Sequence, residues 1–94
     1  MDIALAQDLL AYIDASPSPF HAVGETIRRL RLAGYQPRSE AEAWELSPGE
    51  RFFVVRGDAS VAAFEVGTEP PEEAGFRLIG AHTDSPTLRI KPQP

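Results

Sequence analysis

An α/β fold is predicted for this chain: two amino-terminal helices followed by a mixed β-sheet of about three to four strands. Three observations predict it. Up to residue 30 the apolar residues recur at spacings of three and four, the period of an amphipathic helix. From residue 52 they instead form short runs rich in Phe, Val and Ile, as strands do. Proline and glycine punctuate the boundaries between these runs. The 94 residues suffice for one small domain.

The first helix is expected from the stripe Ile3, Ala6, Leu10 and Ile13, widened by Leu5, Leu9 and Tyr12. Asp2 is placed to cap it. Asp14-Ala15-Ser16-Pro17 ends it, because Pro17 disfavours helical geometry at the residue before it. The second helix begins with Ser18 as cap and Pro19 at the first helical position, where no amide hydrogen is needed. Phe20, Val23, Ile27 and Leu30 form its expected buried stripe, and Gly34 supplies the left-handed stop. Arg28, Arg29 and Arg31 read as a solvated face of this helix. Ser39-Glu40-Ala41-Glu42 matches a capping box, which predicts a short helical turn with Trp44 and Leu46 tucked onto the core.

Residues 52–55 and 61–66 read as two strands. The short connection Arg56-Gly57-Asp58-Ala59-Ser60 makes them an antiparallel hairpin. Residues 68–75, with two prolines and three glutamates, read as an exposed loop. Residues 76–82 form the expected third strand. Phe76, Leu78 and Gly80 fall on one face, Ile79 and Ala81 on the other, and only Arg77 is charged. Such a strand is covered on both sides, like a central strand of an α/β sheet. Residues 87–91 are a candidate fourth strand before Pro92-Gln93-Pro94.

Composition narrows the function classes. Nine basic against fourteen acidic side chains give a net charge of -5, which argues against a nucleic-acid binder. The absence of cysteine excludes disulfide and thiolate chemistry. The opening Met1-Asp2-Ile3-Ala4 lacks the basic start of a secretory signal, and no apolar run approaches the roughly 20 residues of a membrane span. A cytoplasmic protein without a membrane partner is the expectation.

The segment that carries chemistry is Gly80-Ala81-His82-Thr83-Asp84-Ser85-Pro86. In extended chain, residues two apart point to the same face, so His82 and Asp84 can meet or converge on one site. Neutral imidazole is a good zinc ligand, and a nearby carboxylate orients such a ligand. The expected place, the carboxyl end of a covered strand, is where open α/β sheets put their ligands. Gly80 would let another group approach the backbone, and Pro86 would end the strand. The same two residues also serve as a hydrogen-bonded polar end to a strand, and one His with one Asp does not complete a zinc site. His21, in the first turn of the second helix, and Ser18 and Ser85 read as cap and turn residues.

The motif just quoted, followed by Leu88-Arg89-Ile90-Lys91-Pro92, resembles the first metal motif of the aspartyl aminopeptidases, dizinc exopeptidases with an α/β catalytic domain. Ile13-Asp14-Ala15-Ser16-Pro17-Ser18-Pro19-Phe20-His21-Ala22-Val23 resembles that family's amino-terminal signature. Residues 52–56 and 63–67 are also similar. The resemblance covers nearly the whole chain, from about Leu9 to Pro94.

The resemblance implies that residues 1–94 are the incomplete amino-terminal portion of a metallo-aminopeptidase catalytic domain. It makes His82 a zinc ligand and Asp84 the catalytic carboxylate that supports that ligand and the attacking water. A complete enzyme of this kind holds two zinc ions and takes its other ligands and its general base from later sequence. An inserted dimerisation domain would begin about where the chain stops. The implied substrate is a peptide with an acidic amino-terminal residue, Asp or Glu, and the implied assembly is a homo-oligomer. On these grounds the chain alone is expected to be inactive. A non-catalytic fragment or interaction module, and a different dizinc exopeptidase, stay open as alternatives.

Overall fold

A computed structural model describes residues 2–86, 88 and 90–93. Helix α1 spans Ile3–Asp14 and α2 spans Pro19–Leu32. Three strands follow, β1 (Gln36–Pro37), β2 (Arg51–Arg56) and β3 (Ser60–Glu65), and then a single helical turn, α3 (Pro71–Ala74). The sheet order is β1-β2-β3, with β1 parallel and β3 antiparallel to β2. The expected mixed sheet after two helices is therefore present.

Local chemistry sets the helix ends. The Asp2 carboxylate accepts the Leu5 amide at 3.2 Å, and Ser18 Oγ accepts the His21 amide at 3.2 Å with Pro19 in the first turn of α2. Gly34 ends α2 at φ 91°, in the left-handed region. There the Tyr35 amide donates to Leu30 O (2.9 Å) and the Gly34 amide to Arg31 O (3.0 Å), a complete Schellman motif.

The hairpin also forms as expected. Its register pairs Phe52 with Phe64 and Arg56 with Ser60, leaving Gly57, Asp58 and Ala59 as the turn. Gly57 (φ 62°) and Asp58 (φ 57°) are both left-handed, which suits glycine and is tolerated by aspartate. Beyond the strand ends, Val66 and Glu50 extend the pairing through an amide–carbonyl bond of 2.9 Å.

The core is small and centres on β2. Phe52, Phe53 and Val54 are buried, together with Ala22 and Val23 of α2. Successive residues of a strand face opposite sides. Phe53 lies on the α2 side, where the Arg31 guanidinium sits 5.6 Å from its ring centroid. Phe52 lies on the other side, stacked on Phe64 at 4.9 Å and met edge-on by Trp44 at 5.1 Å. Arg38 covers the same Phe52 ring at 4.7 Å and pairs with Glu50.

Several expected features take a different form. The capping box does not nucleate a helix: Ser39 Oγ accepts the Ala41 amide and the chain makes only a turn. A side-chain bond two residues on favours a turn over a helix. Outside the box positions, Glu40 reaches Arg56, whose guanidinium holds the Glu40 carboxyl below the usual carboxylate range. Trp44 does reach the core, whereas Leu46 stays 43% exposed. Residues 68–75 are exposed apart from half-buried Pro71, but contain the turn α3, started by Pro71 at its first position.

The apolar stripe of α1 is not covered. Ile3, Leu5, Leu9, Leu10 and Ile13 all stay more than half exposed, as does Phe20 of α2. Polar groups at the border of the stripe join α1 to α2. Tyr12 Oη lies 2.8 Å from Thr26 Oγ1 and donates to Ala22 O at 3.2 Å, and Arg29 pairs with Asp8 at 2.9 Å. A lone helix neighbour covers one side of α1, so the rest of the stripe has nothing to pack on within this chain. The expected solvated arginine face is largely a salt-bridge cluster: Arg28 and Arg29 both bond Glu25, at 2.9 and 3.0 Å. The two guanidiniums lower the Glu25 pKa from 4.5 to about 2.

The expected third strand is absent. Residues 76–82 carry no regular structure, and Leu78 and Ile79 are almost fully exposed. A strand needs a ladder partner on at least one edge, and a groove of about 670 Å³ lies between residues 76–79 and β3. The third strand of the sheet is instead β1, whose Pro37 is tolerated at an edge. Of the candidate fourth strand, Thr87 and Arg89 lie outside the described residues, and Leu88, Ile90 and Lys91 form no regular structure. Among the described residues no helix is long and apolar enough to cross a membrane.

Candidate metal centre

His82 and Asp84 do not sit on a strand end, as their sequence context predicts. They lie on the irregular segment after Gly75, where a φ of 74° turns the chain away from α3. The two side chains nonetheless meet. His82 Nδ1 is 2.6 Å from the Asp84 backbone carbonyl and 3.3 Å from Asp84 Oδ1. Both neighbours are acceptors, so Nδ1 is the nitrogen that carries the proton in a neutral ring. Nε2 is then the ring nitrogen left for a metal. Both side chains are about four-fifths exposed, so the pair is open to solvent and to any group that approaches it.

Among the described residues, the segment is tethered by one hydrogen bond. Thr83 Oγ1 donates to the Ala59 carbonyl, in the β2–β3 turn, at 2.9 Å. Gly80 makes no close backbone approach of the kind its sequence position suggests: a Cβ there would meet open space. His21 stays in the first turn of α2, where its Nδ1 is 2.7 Å from the capping Ser18 Oγ. That contact serves the cap, since the same Ser18 oxygen accepts the His21 amide. Ser85 is exposed. Among the described residues no three His, Cys, Asp or Glu side chains gather as a metal site.

Residues 12–94 match the family model of the aminopeptidase I zinc metalloproteases (M18). The chain belongs to this M18 family. It is 50% identical over 91 residues to a "Probable M18 family aminopeptidase 2" of Pseudomonas fluorescens, which covers 97% of this chain and 21% of that protein. The protein of the same name from Pseudomonas aeruginosa is 49% identical over 94 residues, all of this chain and 22% of its own. The chain thus spans about a fifth of the length of the curated relatives it matches.

Solved M18 relatives share the fold. A chain of the cryo-EM structure of the Ape4 and Nbr1 complex superposes with a TM-score of 0.63 at 38% identity, over 66% of this chain and 12% of that one. Chaetomium thermophilum mApe1 gives 0.61 at 33% identity, over 65% of this chain and 14% of its own. The M18 description names zinc, and the donor chemistry here fits part of such a site. An imidazole with its Nδ1 occupied and a carboxylate beside it can offer one nitrogen ligand and its orienting group. Zinc usually takes three or four protein ligands, and His82 with Asp84 supplies fewer than that.

Proposed function

We propose that the protein carrying this chain is a zinc aminopeptidase that removes amino-terminal Asp or Glu from peptides. Residues 1–94 form the first portion of its catalytic domain. The observation that carries the proposal is the His82–Asp84 contact inside a segment matched to the M18 family. His82 would hold zinc through Nε2. The Asp84 backbone carbonyl accepts a hydrogen bond from Nδ1–H, with the Asp84 carboxylate 3.3 Å away as a supporting charge, which fixes the tautomer and ring orientation that present Nε2 outward. When bound, zinc supplies Lewis acidity toward the scissile carbonyl and lowers the pKa of the attacking water. The acidic preference and the use of two ions rest on the resemblance to aspartyl aminopeptidases. A cytoplasmic location and assembly into homo-oligomers belong to the same proposal.

The test uses the complete polypeptide. Release of the first residue is followed from peptides that begin with Asp, Glu, Leu or Ala, alongside zinc content. His82→Ala is expected to lose zinc and nearly all turnover. Asp84→Asn should keep zinc at about 10 to 100-fold lower affinity, the usual cost of losing an orienting partner, with turnover lowered at least as much. Near-normal zinc and turnover in both variants would make the pair structural. Faster release of Leu or Ala than of Asp or Glu would remove the acidic preference while leaving the peptidase reading intact.

A further inference from the structure

We propose that Thr83 is a positioning residue, whose hydroxyl anchors the His82–Asp84 pair to the β2–β3 turn and so sets which way the pair faces. The inference rests on His82 being a metal ligand. In extended chain a residue points opposite to both its neighbours, and the structure shows that division. His82 and Asp84 are 79% and 80% exposed, while Thr83 between them is half-buried with Oγ1 2.9 Å from Ala59 O. Among the described residues, this is the one hydrogen bond that ties residues 76–93 to the rest of the molecule.

The anchor point is well chosen for rigidity. Ala59 is the last residue of a turn closed by the Arg56–Ser60 pair, with Gly57 and Asp58 in the left-handed region before it. Its carbonyl belongs to the hairpin, whose strand β2 carries the buried Phe52–Val54 core. The adjacent His82 and Asp84 make their contact with each other through local atoms alone. That contact fixes the ring relative to the segment, and among the described residues the Thr83 bond is the one that fixes the segment relative to the fold. A metal ligand contributes to a preorganised centre only when both are fixed.

The experiment compares Thr83→Val, which keeps shape and loses the hydroxyl, with Thr83→Ser, which keeps the hydroxyl, in the complete polypeptide. Zinc affinity is read by chelator competition, and the His82 ring by 15N chemical shifts in the zinc-free protein. Thr83→Val is expected to bind zinc about 10-fold more weakly, in the range of lost supporting contacts. Thr83→Ser keeps the hydroxyl and should stay well inside the roughly 10-fold loss expected for a lost supporting contact. The His82 tautomer should be unchanged in both, because Asp84 sets it. The proposal is overturned if Thr83→Val binds zinc like the parent, or if Thr83→Ser is as weak as Thr83→Val. If Thr83→Val does not fold, Thr83→Ala takes its place. Unfolding of both overturns the idea too, since the contact would then be a requirement of the fold. His82→Ala run in parallel separates the two levels: if it keeps zinc, the metal-ligand reading falls and this one with it. If His82→Ala loses zinc while Thr83→Val keeps it, only the positioning role falls.

Discussion

Replacing Phe52 with alanine tests where the core lies. Phe52 is 2% exposed, stacks on Phe64 at 4.9 Å, receives the Trp44 edge at 5.1 Å and lies under Arg38. Buried Phe→Ala substitutions cost about 3 to 5 kcal/mol, because the transfer free energy is lost and a cavity remains. A domain of this size has roughly 5 to 14 kcal/mol in all, at about 0.05 to 0.15 kcal/mol per residue. One substitution on β2 therefore removes a large part of the stability of the chain. Leu9→Ala in α1 is the matched control. Leu9 is 58% exposed, so less than half of the roughly 1.5 to 3 kcal/mol of a fully buried leucine is at stake. The higher helix propensity of alanine offsets a little of that loss. The expected cost is under about 1 kcal/mol, against about 2 to 5 kcal/mol for a leucine in a covered stripe. Urea unfolding of the 94-residue chain, followed by far-ultraviolet circular dichroism, measures both. A Leu9→Ala loss equal to or above that of Phe52→Ala would show that the α1 stripe, and not β2, holds the core.

Three further outcomes are expected. Glu25 has its pKa lowered from 4.5 to about 2 by Arg28 and Arg29, so its charge stabilises the fold above pH 4.5 and that contribution fades as pH falls toward 2. In acid titration of stability, Glu25→Gln should flatten the parent's slope across that window; an unchanged slope would mean that the pairs do not form in solution. The isolated chain should release no amino acid from Asp- or Glu-initiated peptides with added zinc, manganese or cobalt, because the described residues hold no third ligand beside His82 and Asp84. Metal-dependent turnover by the purified chain contradicts this. The uncovered apolar residues of α1 and of residues 76–79 should make the isolated chain self-associate. Sedimentation over a concentration series checks it, and a strictly monomeric species at all concentrations sinks it.

Much of the local architecture was legible in the residues. Asp2, Ser18-Pro19 and Gly34 mark helix ends because caps and left-handed stops involve atoms within three or four positions of one another. The short turn-forming connection Arg56-Gly57-Asp58-Ala59-Ser60 between two apolar runs pointed to the hairpin and its antiparallel sense. The quoted metal motif also led to the family, which the match over residues 12–94 now establishes. The capping-box pattern at Ser39 misled because a turn and a helix compete for the same amides, and Ser39 Oγ took the Ala41 amide two residues on.

Burial was the part that sequence could not decide. The apolar periods of α1 and of residues 76–81 say that these faces can be covered, and say nothing about what covers them. Covering requires partners far along the chain, and hydrophobic gain accrues only where surfaces meet. In the structure those partners are supplied to β2, by α2 on one face and by Trp44 and Phe64 on the other, and to the Ala22–Val23 side of α2. The short β1, formed from Gln36-Pro37, carries no strand pattern of its own and exists because the edge of β2 was available. The spacing of His82 and Asp84 allowed them to meet. That they do so on an exposed segment, held by Thr83 to a turn 24 residues earlier, was decided only by the tertiary fold.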